Sequence, residues 1–215
     1  PPVFERDPVR SVNVTADLLA DYLEDTSDPA DVIPPVLEEH AALARLSVRA
    51  ASERRPDVVA LIEAASAHDV GHLLDETTLT LGAGKGSRSW ALDALPGIDE
   101  VAWDSLRTIP IAAVTGSNGK TTTVRLVAAC TRAHGWCDGF NCTDGVFIDR
   151  KAVASGDYSG PAGTRLVLRD TSVEAAVLET ARGGILRRGL AADRADVAVV
   201  TNISPDHFGE YGIDD

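Results

Sequence analysis

IAAVTGSNGKTTTVRLVAA, residues 111–129, opens with an apolar run, turns through Gly116, Asn118 and Gly119, and continues from Lys120 with apolar residues at helical spacing. That order reads as strand, phosphate loop, helix. The glycines let successive backbone N–H groups converge on one point, where the positive end of the following helix also lies, so an anionic phosphate is favoured there twice over. Thr115, Gly116, Ser117, Asn118, Gly119, Lys120, Thr121 and Thr122 are the candidate nucleotide-binding residues. Lys120 brings a full charge for the outer phosphates, and the Thr121 hydroxyl is placed to ligate a magnesium ion. The bland alternative is a glycine turn between strand and helix, which does not account for GK followed by a run of threonines.

The loop departs from the common pattern GxxxxGK[ST], because Val114 stands where the first glycine would fall. A second glycine-rich stretch, LGAGKGSRSW at residues 81–90, lacks a flanking buried strand and helix in the required order. It is expected to be a flexible or substrate-facing loop.

Composition narrows the function. The chain has 215 residues, 44% of them hydrophobic, and a formal net charge of -13. That length is enough to bury a core of one large or two small domains. The acidity argues against nucleic acid as a partner, since a duplex needs a basic face. It also means that a bound triphosphate must be held by local amides, Lys120 and a metal against an unfavourable overall field. No apolar run reaches membrane-spanning length and the start shows no export pattern, so no membrane partner and a cytoplasmic location are expected. Cys130, Cys137 and Cys142 lack the paired spacing of a zinc or redox site and are expected to be reduced thiols. The chain contains no methionine, from which truncation at both ends is expected.

Along the chain, residues 1–35 are rich in proline and acid, with one helical candidate at 16–24 capped by Thr15. Residues 36–54 show amphipathic helical spacing, Pro56 interrupts it, and 57–67 form a second helix with Val58, Val59, Leu61 and Ile62 inward. A short strand is expected at 77–81, and DALP at 93–96 opens a linker that puts a domain boundary near residue 105. After residue 110 strand and helix alternate. A hairpin turn is expected at Asp149 and Arg150, a helix at 163–169, a buried strand at 175–178, a glycine-interrupted helix at 183–190 and a strand at 197–203. Continuous Val and Ala runs suit strands covered on both faces of an open, mostly parallel sheet.

In such a sheet ligands bind outside the carboxyl ends of the strands. The phosphate loop follows one strand, Glu179 ends another, and Asp206 with His207 follows the last. A carboxylate at the end of an apolar strand is costly to bury unless it has work to do, so Glu179 is a candidate metal ligand, with a helix cap or an ion pair to Arg182 as the plainer reading. His207 reads as a second metal ligand or as a loop histidine bonded to a carbonyl. Arg187 and Arg188 read equally well as solvated helix charges.

TGSNGKTT, CTDGVFIDRKAVASGDYSGPAGTRLVLRD, AAVLETARGGILRRGL and DVAVVTNISPDHFG, in that order, resemble segments of the Mur ligase family, ATP-dependent enzymes that join an amino acid or peptide to a carboxylate. The resemblance covers about half the chain. It implies an α/β fold of the Mur ligase central-domain type, a mostly parallel sheet flanked by helices with a phosphate loop, at 106–215. A small, mainly helical region and linker would precede it at 1–105. It implies ATP and Mg2+ as cofactors, Thr121 and Glu179 on one magnesium, His207 on another, and Lys120, Glu179 and His207 as the catalytic set. More weakly, it puts Thr143, Asp144 and Arg182 near the substrate. The partners implied are a small-molecule amino acid and a carboxylate or acidic peptide acceptor, together with a C-terminal ligase domain that this sequence lacks. Catalysis would consist of phosphoryl transfer to the carboxylate and displacement by the amine, with no covalent enzyme intermediate. A nucleotide-binding module without turnover, and a small-molecule kinase or NTPase, remain the competing readings.

Overall fold

The computed structural model describes residues 39–205, and contacts divide the chain into two compact units, Pro1–Pro56 and Asp57–Asp215. The helix at 16–24 with its Thr15 cap, and His207 with Asp206, lie outside the described residues. The first unit contributes helix α1 (Glu39–Ser52), the amphipathic segment expected before Pro56. Pro56 starts helix α2 (Pro56–Ala67), where its missing N–H costs nothing. Val58, Leu61 and Ala65 form the buried stripe of α2, whereas Val59, expected inward, is exposed.

The expected helices are followed by an antiparallel sheet of which the sequence pattern revealed one strand: β1 (His72–Leu74), β2 (Thr78–Leu81) and β3 (Arg88–Ala91). LGAGKGS joins β2 to β3, and here the expectation of a flexible or substrate-facing loop is corrected. Gly84 has φ of +56°, and a Cβ there would lie 2.4 Å from the Val173 carbonyl oxygen and 2.5 Å from Ile109 Cδ1. The Lys85 amide donates to that same carbonyl at 2.8 Å, and its ammonium pairs with Glu174 at 2.7 Å. The stretch is a packed joint. Leu73 and Ala83 enter one core with Ile109, Ile111, Val146, Val167, Leu168 and Val173. These residues pack the small sheet against the elements that follow it.

The main sheet has six strands in the order β7-β6-β5-β8-β4-β9. They are β4 (Ile111–Thr115), β5 (Asp138–Cys142), β6 (Gly145–Ile148), β7 (Lys151–Ser155), β8 (Ala175–Glu179) and β9 (Val197–Val200). Strands β5, β8, β4 and β9 run parallel, and β5, β6 and β7 form an antiparallel meander. Asp149 and Arg150 both take positive φ, 43° and 67°, the turn that matches the twist of a tight hairpin. Helices α3 (Lys120–Ala133), α4 (Pro161–Arg169) and α5 (Arg182–Arg188) follow β4, β7 and β8. Among the described residues no helix is long and apolar enough to cross a membrane, and the three cysteines are free.

Strand β5 was also concealed in the sequence, because Asp138 and Asn141 are polar yet fully buried. Arg132 pairs with Asp138, whose carboxyl is nevertheless pushed up by burial. Asn141 Nδ2 donates to the carbonyls of Tyr158 at 2.7 Å and Glu179 at 2.9 Å, tying β5 to the end of β8.

Arg169, at the end of α4, bonds Asp75, the Thr80 hydroxyl and the Thr78 carbonyl, and so fastens the small sheet to the large one. Burial pushes the Asp75 carboxyl up, but the Thr77 amide, Arg169 and the Thr78 amide outweigh it and hold the carboxyl below its ordinary value. The carboxylate therefore adds stability above the unfolded-state value, and that contribution is lost as pH falls through the depressed folded one. Arg169→Ala should cost about 2 kcal/mol in urea denaturation at neutral pH and flatten this acid limb of the stability profile.

Candidate functional site

The site is built where β4 and β8 end side by side. Val114 is in register with Glu179, so the loop that leaves β4 passes beside that carboxylate. Gly119 caps α3 with φ of 81°, a left-handed conformation, and the helix begins at Lys120. The first-turn amides of α3 lack intrahelical acceptors and form an anion-binding end. Lys120 Nζ rests on the carbonyls of Gly116 at 2.8 Å and Ser117 at 3.1 Å. Asn118, Gly119 and Thr122 are exposed, and Thr115, Gly116, Ser117, Lys120 and Thr121 are half-buried.

Thr121 joins loop and sheet. Its hydroxyl donates to Glu179 Oε2 at 2.9 Å and lies 3.1 Å from the Thr143 hydroxyl. Glu179 is completely buried, and its Oε1 has no hydrogen-bond partner. Burial pushes its carboxyl above the ordinary value, against the Thr121 bond and the Lys120 charge, with Asp157 adding to the upward push. Asp144 is exposed and pairs with Arg125 at 2.6 Å.

A cavity of about 720 Å³ opens beside Lys120. Its walls are the phosphate loop, the segment from Asp157 into α4, the start and end of α5, and residues 200–204. Arg182, Arg187 and Arg188 also line it. Sequence reasoning passed over Asp157, Asn202 and Ser204, all on this cavity. The signal for Asn202 was present: it follows a strand whose carboxyl end falls at the same edge of the sheet as the phosphate loop. The structure thus gathers Lys120, Thr121, Thr143, Glu179 and Arg182 around one edge and turns Asp144 to Arg125.

Residues 114–213 match the family described as Mur ligase middle domain. That match covers a little under half of the chain. The cyanophycin synthetase of Synechocystis sp. is 55% identical over 106 residues, 49% of this chain and 12% of that protein. That of Geminocystis herdmanii is 50% identical over 122 residues, 56% of this chain and 14% of its own. The UDP-N-acetylmuramoylalanine–D-glutamate ligase of Anaeromyxobacter dehalogenans is 32% identical over 112 residues, 52% of this chain and 20% of its own. The chain thus spans about an eighth of the length of the cyanophycin synthetases it matches. A solved UDP-N-acetylmuramoyl-L-alanyl-D-glutamate–2,6-diaminopimelate ligase aligns over 46% of this chain and 21% of its own, at 27% identity and a TM-score of 0.37.

The donor set fits the magnesium ion that the matched Mur ligase family implies. Glu179 Oε1 is a buried oxygen without a partner, with the hydroxyls of Thr121 and Thr143 nearby. Among the described residues no trio of His, Cys, Asp or Glu gathers. One carboxylate plus hydroxyls is the hard-oxygen, partial shell that magnesium accepts when phosphates and water complete it.

Without a cation the ionised Glu179 is an unfavourable buried charge. Because its folded value is raised, its stabilising contribution is present below the unfolded value and is lost as pH rises through the folded one. Glu179→Gln should therefore stabilise the nucleotide-free fold at neutral pH by about 1 kcal/mol, an advantage that vanishes in acid, while abolishing magnesium-dependent nucleotide binding. Urea denaturation across pH 4 to 8, paired with MgADP titration calorimetry, checks both halves.

Proposed function

We propose that the full protein is an ATP-dependent carboxylate–amine ligase whose triphosphate is held by Lys120, Thr121 and the first turn of α3. The observation that carries this reading is the Thr121–Glu179 bond, which ties the phosphate loop to a buried carboxylate with one oxygen unpartnered. The likeness to cyanophycin synthetases and Mur ligases supports it. The substrates belong to the proposal: an acidic peptide or other carboxylate as acceptor and an amino acid as amine.

In the first step a carboxylate oxygen attacks the γ-phosphorus of ATP, ADP leaves, and an acyl phosphate forms. In the second a neutral amine attacks the acyl carbon, phosphate leaves, and the nitrogen loses a proton. Two anions meet in the first step, so neutralising charge is the main demand. Lys120 Nζ meets it by exchanging the carbonyls of Gly116 and Ser117 for phosphate oxygens. Glu179 and Thr121 would hold one magnesium ion and His207 would serve a second, and the bound metal would supply the rest of that neutralisation. Arg182, Arg187 and Arg188 give the cavity cations suited to the acceptor's carboxylates, and Asp157 is its acid among the described residues. No side chain is required as a nucleophile.

The test is phosphate release by the full-length protein across a panel of amino acids and acidic peptides. Release should require both a carboxylate and an amine, and Lys120→Ala should lower it by about 100-fold or more. Nucleotide binding without release would instead identify a binding module, and release without an amine a kinase or NTPase.

A further inference from the structure

Strand β9 ends at Val200, three residues short of the expected end, because the chain there leaves the ladder and runs against the phosphate loop. The Thr201 amide donates to the Thr115 carbonyl at 2.9 Å, and its hydroxyl reaches the carbonyls of Asn118 at 2.6 Å and Thr115 at 3.2 Å. Asn202 accepts twice: its carbonyl takes the Ser117 amide at 3.0 Å and its Oδ1 takes the Asn118 amide at 2.9 Å. Ser204 closes the strap, its amide donating to Ser117 Oγ at 3.0 Å and its carbonyl accepting from that hydroxyl at 3.1 Å. Gly116, with φ of +131°, permits the approach, since a Cβ there would stand 2.2 Å from Thr201 Oγ1.

The first half of the loop is therefore committed to this strap. The amides of Ser117 and Asn118 already have acceptors, so the donors left for an anion begin with the first turn of α3. The two carbonyls on which Lys120 rests belong to Gly116 and Ser117, inside the strapped half. We propose that Asn202 is a positioning residue that holds the phosphate loop, and with it the start of α3, in the nucleotide-ready form; this rests on the nucleotide-binding reading above. Asn202 is exposed, so its side chain is not a core element whose loss would unfold the protein.

The experiment uses the full-length protein and three forms: wild type, Asn202→Ala and Asn202→Asp. Alanine removes Oδ1; aspartate keeps an acceptor for the Asn118 amide but sets a negative charge beside the anion site. In nucleotide-free protein, hydrogen exchange at the Asn118 amide should be faster in the alanine variant and near wild type in the aspartate variant. The alanine variant should bind MgADP about tenfold more weakly, with the KM for ATP raised to match and the KM for the amine unchanged, since one hydrogen bond is lost. Asn118 exchange and MgADP affinity both within twofold of wild type in Asn202→Ala would overturn the assignment. So would equal rises in the KM for ATP and for the amine, the mark of general structural damage. A wild-type protein that binds no MgADP would remove the nucleotide reading and this role with it, whereas a wild type that binds beside an indifferent alanine variant would remove this role alone.

Discussion

A carboxylate with no exposed surface ends strand β8, and much of the surrounding structure serves to keep it there. Burying a charge with half its hydrogen bonds unmade is unfavourable, and neighbouring elements reduce that cost without removing it. Thr121 donates to one oxygen, Lys120 contributes its charge, and Asn141 clamps the Glu179 carbonyl so that the strand end cannot shift to water. The parallel pairing of Val114 with Glu179 makes the arrangement compulsory, because no slip of β4 on β8 could keep both the loop and the carboxylate in place. What is left without a partner on this carboxylate is Oε1, which a cation or a donor could complete.

How far this was legible in the sequence depended on whether the cause of each element is local. The phosphate loop, the Asp149–Arg150 hairpin and strand β8 are governed by residues next to one another, and their patterns could be read directly. Strand β5 could not be, because Asp138 and Asn141 are tolerated inside only through Arg132, Tyr158 and the distant Glu179. The LGAGKGS turn misled for the same reason, since its glycine at 84 answers to Val173 and Ile109 rather than to a ligand. Glu179 could be singled out at the end of an apolar strand, but the unpartnered oxygen that gives it meaning belongs to the folded state alone.

The charge distribution follows the same division between whole and part. The chain is acidic overall, at -13, yet Lys120, Arg182, Arg187 and Arg188 line one cavity that holds Asp157 as its acid among the described residues. An acidic surface disfavours anions at a distance, while cations gathered within a few ångströms act before salt and solvent can screen them. The overall field thus opposes loose capture of polyanions, and the cavity rewards an anion small or extended enough to enter.

The two glycines of the phosphate loop separate the loop's tasks. Gly119 has a positive φ and nothing within 4 Å of where a Cβ would sit, so backbone conformation alone selects it, to turn the chain into α3 and bare its amides. Gly116 also has a positive φ, but there the nearest obstacle is Thr201, and close approach to the strap is the stronger demand. One half of the loop therefore faces the segment after β9, and the other half opens into the first turn of α3. The segment after β9 thus supplies, from a remote part of the chain, hydrogen bonds that hold the first half of the loop.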